Sequence, residues 1–254
     1  MPADTGFASF RWYSPGTTSR LVIAFVSAAW AFMAIAVLRG DETWMHHDSP
    51  STGALTGLTF IGSWTLMVAA LMLPTTLWFV SVFDRIVAER ADRLRLGALV
   101  VAGYLTVWLV AGSVAFALDE ALHGIDDATG ALSRHDWLVP AGALALAGAF
   151  QLTPLKARCL ARCRTPYSFV ATRWHDVRPR HEAWRLGMEH GRFCLGCCWA
   201  LMLVMTALSA IGLVWMLLIA SVMAAEKLTP AGARLARPVG VTCLALAIAV
   251  PVVG

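Results

Sequence analysis

The sequence predicts an all-α bundle of about seven membrane-spanning helices, with the amino terminus cytoplasmic and the carboxyl terminus outside. Three observations carry that prediction. Of 254 residues, 58% are hydrophobic and only 14% charged, where a soluble domain of this length carries about 25% charged residues. The apolar residues fall into blocks of about 18 or more, enough to cross about 30 Å of hydrocarbon as helix. Lys and Arg are dense in alternate connecting segments and sparse in the others. The sequence lacks alternating strand patterns, which argues against a β-barrel. No long polar stretch remains outside the apolar blocks, so residues 1–254 read as one integral membrane domain.

The blocks are 21–38, 57–83, 97–118, 137–153, 193–209, 211–226 and 235–253. The first follows Arg11 and Arg20, and Ala34-Ile35-Ala36 resembles a signal cleavage site. Trp30, Phe32 and the continuation to Leu38 favour a retained anchor; cleavage would leave six helices. Pro74 lies within the second block, where a membrane helix tolerates a kink if neighbours satisfy the freed carbonyl. Pro140 sits near the start of the fourth, where a missing N–H costs least. Residues 193–226 are too long for a single span at about 1.5 Å per residue, and Ser209 and Gly212 mark a turn that divides them.

With this division the charges sort by side. Eighteen Lys and Arg fall in the segments assigned inside and two in those outside, the positive-inside asymmetry. Asp41, Glu42, Asp48, Asp119, Glu120, Asp126, Asp127 and Asp136 face out. Topology thus explains the net charge of +4 better than nucleic-acid binding does. Serine-hydrolase, P-loop and dinucleotide motifs are not apparent, nor is an internal repeat.

Five of six cysteines lie between positions 159 and 198, on or next to the cytoplasmic side. Thiols there stay reduced, so metal or redox chemistry fits them better than structural disulfides. In the segment from Gly187 to Trp199, His190, Cys194, Cys197 and Cys198 are spaced four, three and one apart. On a helix they form one stripe, which Met205 continues deeper, with Met202 at its margin. Thiolate and thioether select soft ions, Cu(I) above all, with Zn(II) the alternative where imidazole and thiolate dominate. Gly187, Gly191 and Gly196 leave room for a neighbouring helix. Cysteine is also a small hydrophobe that helices bury for packing alone.

Cys159 and Cys163 form a second pair at helical spacing beside Lys156, Arg158, Arg162 and Arg164. Positive neighbours favour thiolate; a basic helix resting on anionic headgroups is the competing explanation. Met45, His46 and His47 in the first outer loop have copper-binding chemistry, though a solvated loop explains them as well. His123 and His135 are their candidate companions. Met67 and Met72, five apart, read as core filler. Glu226 and Lys227 either partner the cysteine stripe or snorkel to headgroups. Gln151 and Thr153 suit hydrogen bonding between helices.

The stretches WTLMVAALMLP (Trp64–Pro74), FQLTPLKARCLARCR (Phe150–Arg164) and GMEHGRFCLGCCWALM (Gly187–Met202), followed by Glu226-Lys227, resemble domain-of-unknown-function family 2182, described as predicted metal-binding integral membrane proteins. The resemblance runs from the second to the sixth helix and implies a bacterial inner-membrane protein that binds metal. This chain has Leu71-Met72-Leu73 where that family commonly pairs methionines before the proline. The leading expectation is a soft-metal protein in transport, delivery or metalloenzyme assembly, with a metallochaperone, metalloenzyme or membrane complex as partner. The alternatives are a thiol–disulfide oxidoreductase using Cys194-Leu-Gly-Cys197, and a non-catalytic scaffold or accessory subunit.

Overall fold

A computed structural model describes residues 16–39, 54–130, 132–135, 137–208 and 213–253. Among the described residues there are ten α-helices and no strand. They are α1 (Thr17–Leu38), α2 (Ala54–Leu71), α3 (Leu73–Ile86), α4 (Arg93–Thr129), α5 (Leu138–Gln151), α6 (Pro154–Cys163), α7 (Pro166–Ala171), α8 (Pro179–Ala207), α9 (Leu213–Leu228) and α10 (Gly232–Val253). Four helices, α1, α4, α8 and α10, are long and apolar enough to cross a membrane, or six if the bent pairs α2–α3 and α5–α6 each count as one span. α9 has 16 residues, and the expected turn at Ser209 and Gly212 lies outside the described residues.

The expected helix 57–83 is two helices, bent by 64° at Met72. Pro74 has no N–H for the carbonyl of Ala70, one turn earlier. Trp30 on α1 supplies the missing donor, its Nε1 reaching Ala70 O at 3.0 Å. Thr75 Oγ1 and Thr76 Oγ1 donate to Met72 O and Leu73 O at 2.8 Å each. The second bend, 73° between α5 and α6, repeats the device at Pro154. Thr153 donates from N and Oγ1 to Phe150 O, the carbonyl the proline leaves free, and its Oγ1 accepts from Lys156 N.

α8 begins at Pro179, fourteen residues before the expected start at 193, and the expected loop 155–192 also contains α6 and α7. Glu182 anchors that start by accepting from the backbone N–H groups of His175, Asp176, Val177 and Arg178 at 2.9–3.1 Å. α4 runs well past the expected 118, to Thr129. In the loop before α4, Arg90 bridges Asp92 and Asp176 and holds the Asp92 carboxyl below its usual range.

α4 and α8 form the most extensive helix pair. A Cβ on Gly103 would meet the carbonyl of Trp184, and one on Gly187 the carbonyl of Val100. The two backbones therefore touch at a crossing that side chains would hold apart. Outward, α4 presents Val110, Val114 and Leu118 along one exposed face, and α1 presents Leu21, Phe25 and Phe32. Apolar faces of this extent suit hydrocarbon rather than water.

Gly187→Val would push side-chain atoms into the Val100 carbonyl, an overpacking cost of roughly 1–3 kcal/mol. Its thermal midpoint in detergent should fall clearly below wild type. Gly142→Ala, whose added Cβ has nothing within 4 Å, should melt at or slightly above the wild-type midpoint. Equal midpoints for all three proteins would contradict the crossing.

Candidate metal centre

The cysteine stripe of α8 faces inward. Cys194, Cys197 and Cys198 are each 1% exposed, and His190 and Met205 are also buried. The α4 crossing presses α8 against its neighbour on one side. On another side α6, folded back at Pro154, lies along α8.

Sulfurs from three segments meet there. Cys163 Sγ on α6 stands 3.9 Å from Cys197 Sγ. Cys198 Sγ stands 3.8 Å from Met72 Sδ, at the α2–α3 bend. Two sulfurs each about 2.3 Å from one tetrahedral ion stand about 3.8 Å apart, so both separations suit a shared soft ion. Cys159 lies one turn before Cys163, half-buried, and a Cβ on Gly196 would come within 2.8 Å of its Sγ. Gly196 therefore makes room for that thiol.

Polar groups surround the sulfurs. Tyr104 OH lies 3.2 Å from Cys194 Sγ. Lys227 Nζ lies 3.1 Å from Cys194 Sγ, 3.4 Å from Met72 Sδ, 3.9 Å from Cys198 Sγ and 3.4 Å from Thr75 Oγ1. Of the two expectations for Lys227, partnership with the stripe is the one realised; the residue is 6% exposed. Glu226 is engaged by other partners, accepting from Lys156 Nζ at 2.5 Å and Gln151 Nε2 at 2.8 Å. Lys156 Nζ also donates to Cys197 O.

Cys197 and Cys198 donate their S–H groups to Cys194 O at 3.1 and 2.9 Å. Turned onto the helix backbone, they are not gathered around a common point. Accordingly, among the described residues no group of three or more His, Cys, Asp or Glu side chains is placed to hold a metal ion. The soft set that does converge includes a methionine: Cys194, Cys198 and Met72 around Lys227, with Cys197 and Cys163 beside it.

Among the described residues no hydrogen bond joins His190 to the thiols; aromatic rings surround it instead. Its ring stacks on Phe79 at 4.0 Å and 2°, and meets Phe169 edge-on. Its Nδ1 is buried and has no hydrogen-bond partner. Met45, His46 and His47 lie outside the described residues. His123 Nδ1 donates to Asp119 O at 2.9 Å, and the side chain is exposed.

The sequence reads Met72 as core filler and does not single out Tyr104, yet Met72 lies beside Cys198 and Tyr104 beside Cys194. A tyrosine amid the apolar residues of 97–118 was the available signal for Tyr104. For Met72 the signal was its place two residues before Pro74, where the bend turns it inward.

A family model described as copper chaperone (PpoB2) matches residues 61–250. No curated protein and no solved structure matches the chain.

The Lys156–Glu226 pair is nearly solvent-free, at 1% and 2% side-chain exposure. Removing one partner from such a pair costs about 3–5 kcal/mol, because the other charge is left buried and alone. Lys156→Met should therefore destabilise the purified protein strongly. The double variant Lys156→Met/Glu226→Leu should recover much of that loss, as read by a double-mutant cycle of denaturant unfolding.

Proposed function

The chain belongs to the copper chaperone family, and on that premise we propose that it binds Cu(I) within a bacterial inner-membrane bundle and passes it to a copper protein or metalloenzyme. The observation that supports this reading is the meeting of Cys163, Cys197, Cys198 and Met72 sulfurs from three chain segments, at separations of 3.8 and 3.9 Å. Copper is the cargo. Cys194 and Cys198 are its principal ligands, with Met72 as a thioether donor and Cys197, Cys163 and Cys159 as the route toward the half-buried edge of α6. Met205 continues the buried face more deeply. His190 serves as a ligand only if its ring leaves the stack on Phe79.

Cu(I) is preferred to Zn(II) in this reading because the converging donors are sulfurs, whereas the imidazole is packed among aromatic rings. The resemblance to a predicted metal-binding membrane family agrees with this assignment. The topology is seven spans with the amino terminus inside and the carboxyl terminus outside. α9 supplies the sixth span, and α6, α7 and the early turns of α8 lie toward the cytoplasm.

The short Cys163–Cys197 separation also favours a second reading, in which these thiols cycle to a disulfide. Alkylation of the protein under oxidising and reducing conditions separates the two: cycling would protect both cysteines together after oxidation.

Detergent-purified wild type, loaded under reducing conditions with Cu(I) held by a competing chelator, should retain copper. The Cys194→Ala/Cys197→Ala/Cys198→Ala variant should lose at least about 1.4 kcal/mol of affinity, a tenfold effect. Cys159→Ala/Cys163→Ala should lose less at equilibrium and release copper to an acceptor more slowly. Equal copper retention by wild type and the triple variant would remove the centre.

A further inference from the structure

Lys227 is the buried cation of this region that has no carboxylate to itself. The neighbouring carboxylate, Glu226, is engaged by Lys156 Nζ and Gln151 Nε2. The Lys227 ammonium instead points at Cys194 Sγ, Met72 Sδ, Cys198 Sγ and Thr75 Oγ1, at 3.1 to 3.9 Å. Tyr104 OH approaches the same Cys194 Sγ from α4 at 3.2 Å. Among the described residues no carboxylate forms an ion pair with Lys227. In a dry interior an amine facing two cysteine sulfurs and a thioether stays an ammonium only where those cysteines, or what they bind, carry negative charge.

We propose that Lys227 is a specificity-determining residue that makes the sulfur centre selective for a monovalent soft cation over a divalent one. This inference rests on the copper-binding reading and concerns the charge of the cargo. Binding exchanges thiol protons for metal. With Cys194 and Cys198 as thiolates and Met72 as a neutral thioether, Cu(I) leaves one net negative charge. The Lys227 ammonium cancels it, and the loaded centre is neutral. Zn(II) on the same three donors gives a neutral complex and leaves the ammonium unbalanced in a low-dielectric interior, where an unpaired charge is heavily penalised. Soft donors alone favour Cu(I); the adjacent fixed charge adds a preference by valence that sulfur chemistry does not supply.

The position of Lys227 lets it remain beside the loaded centre. Its flexible stem reaches from α9, and Thr75 Oγ1 at 3.4 Å offers a second acceptor at the rim of the sulfur group. The ammonium can withdraw toward that hydroxyl as the metal enters and still face the thiolates. An arginine keeps the charge at this site; a leucine removes it.

The test compares wild type, Lys227→Leu and Lys227→Arg, each purified in detergent and checked for a single monodisperse peak. Affinities for Cu(I) and for Zn(II) are measured separately by competition with chelators of known strength. The ratio of Cu(I) to Zn(II) affinity should fall by about tenfold or more in Lys227→Leu. In Lys227→Arg it should stay within a few-fold of wild type. Lys227→Gln replaces the leucine variant if that protein does not yield a monodisperse peak. An unchanged ratio in the neutral variant, even if both affinities fall together, overturns the charge role while leaving the copper centre standing. Failure of wild type to retain Cu(I), or full retention by the triple cysteine variant, removes the centre and the inference with it.

Discussion

The sulfur centre depends on one buried ion pair. Lys156 and Glu226 join α6 to α9, and Gln151 on α5 and the Cys197 carbonyl on α8 add hydrogen bonds to the pair. Arg164 extends the same tie, donating to Glu226 O at 2.6 Å and Pro230 O at 3.2 Å, where α9 runs out of helical partners. Two charges taken out of water are tolerated only when their remaining donors and acceptors are filled. That requirement fixes four helices relative to one another with little slack. It also sets the rotation of α9. Successive helical side chains point about 100° apart, so a Glu226 committed to Lys156 leaves Lys227 turned toward α8 and its cysteines.

Two prolines perform the complementary task of bringing sulfurs from outside α8 to its cysteines. Straight helices through Pro74 and Pro154 would carry Met72 past the centre and α6 away from it. The bends bring both back, and each is compensated at the carbonyl that its proline leaves free. At Ala70 the donor is Trp30 from α1; at Phe150 it is Thr153 from the bend itself. In a bilayer such compensation is obligatory, because no water is present to fill the missing bond. The bends are therefore as much a part of the centre as the thiols.

The sequence disclosed what is local. Helical class follows from block length, and the inward stripe of Cys194, Cys197 and Cys198 follows from their spacing. Cys163 was legible as a thiol one turn from Cys159, though not that it faces Cys197. What the sequence concealed is mostly non-local. Hydropathy does not distinguish a continuous helix from two bent ones, so 57–83 read as one element and Met72 as filler. The early turns of α8, charged and thus loop-like in composition, are helical because α4 packs against Gly187 and Glu182 caps the preceding backbone. His190 shares the cysteine stripe in projection, yet its ring is claimed by Phe79 and Phe169. Periodicity gives the face of a helix; it does not say which neighbour a side chain on that face will choose.

The thiols of Cys197 and Cys198 show why a copper carrier would bury its ligands on a helix. Each S–H returns to the Cys194 carbonyl, which satisfies the donor without water and holds both sulfurs close to the α8 backbone. On the proposed copper-binding reading, loading would require those bonds to be given up together with the thiol protons. Release reverses it, and the helix supplies the acceptor that the protonated thiols need. The half-buried edge at Cys159 and Cys163 then matters as much as the buried group. An ion held only by fully enclosed sulfurs would leave slowly, whereas a second pair on α6, one of whose sulfurs lies 3.9 Å from Cys197, allows transfer by exchange of one sulfur ligand for another. Burial confers retention and the graded exposure of α6 confers delivery, and a carrier needs both in the same short span of structure.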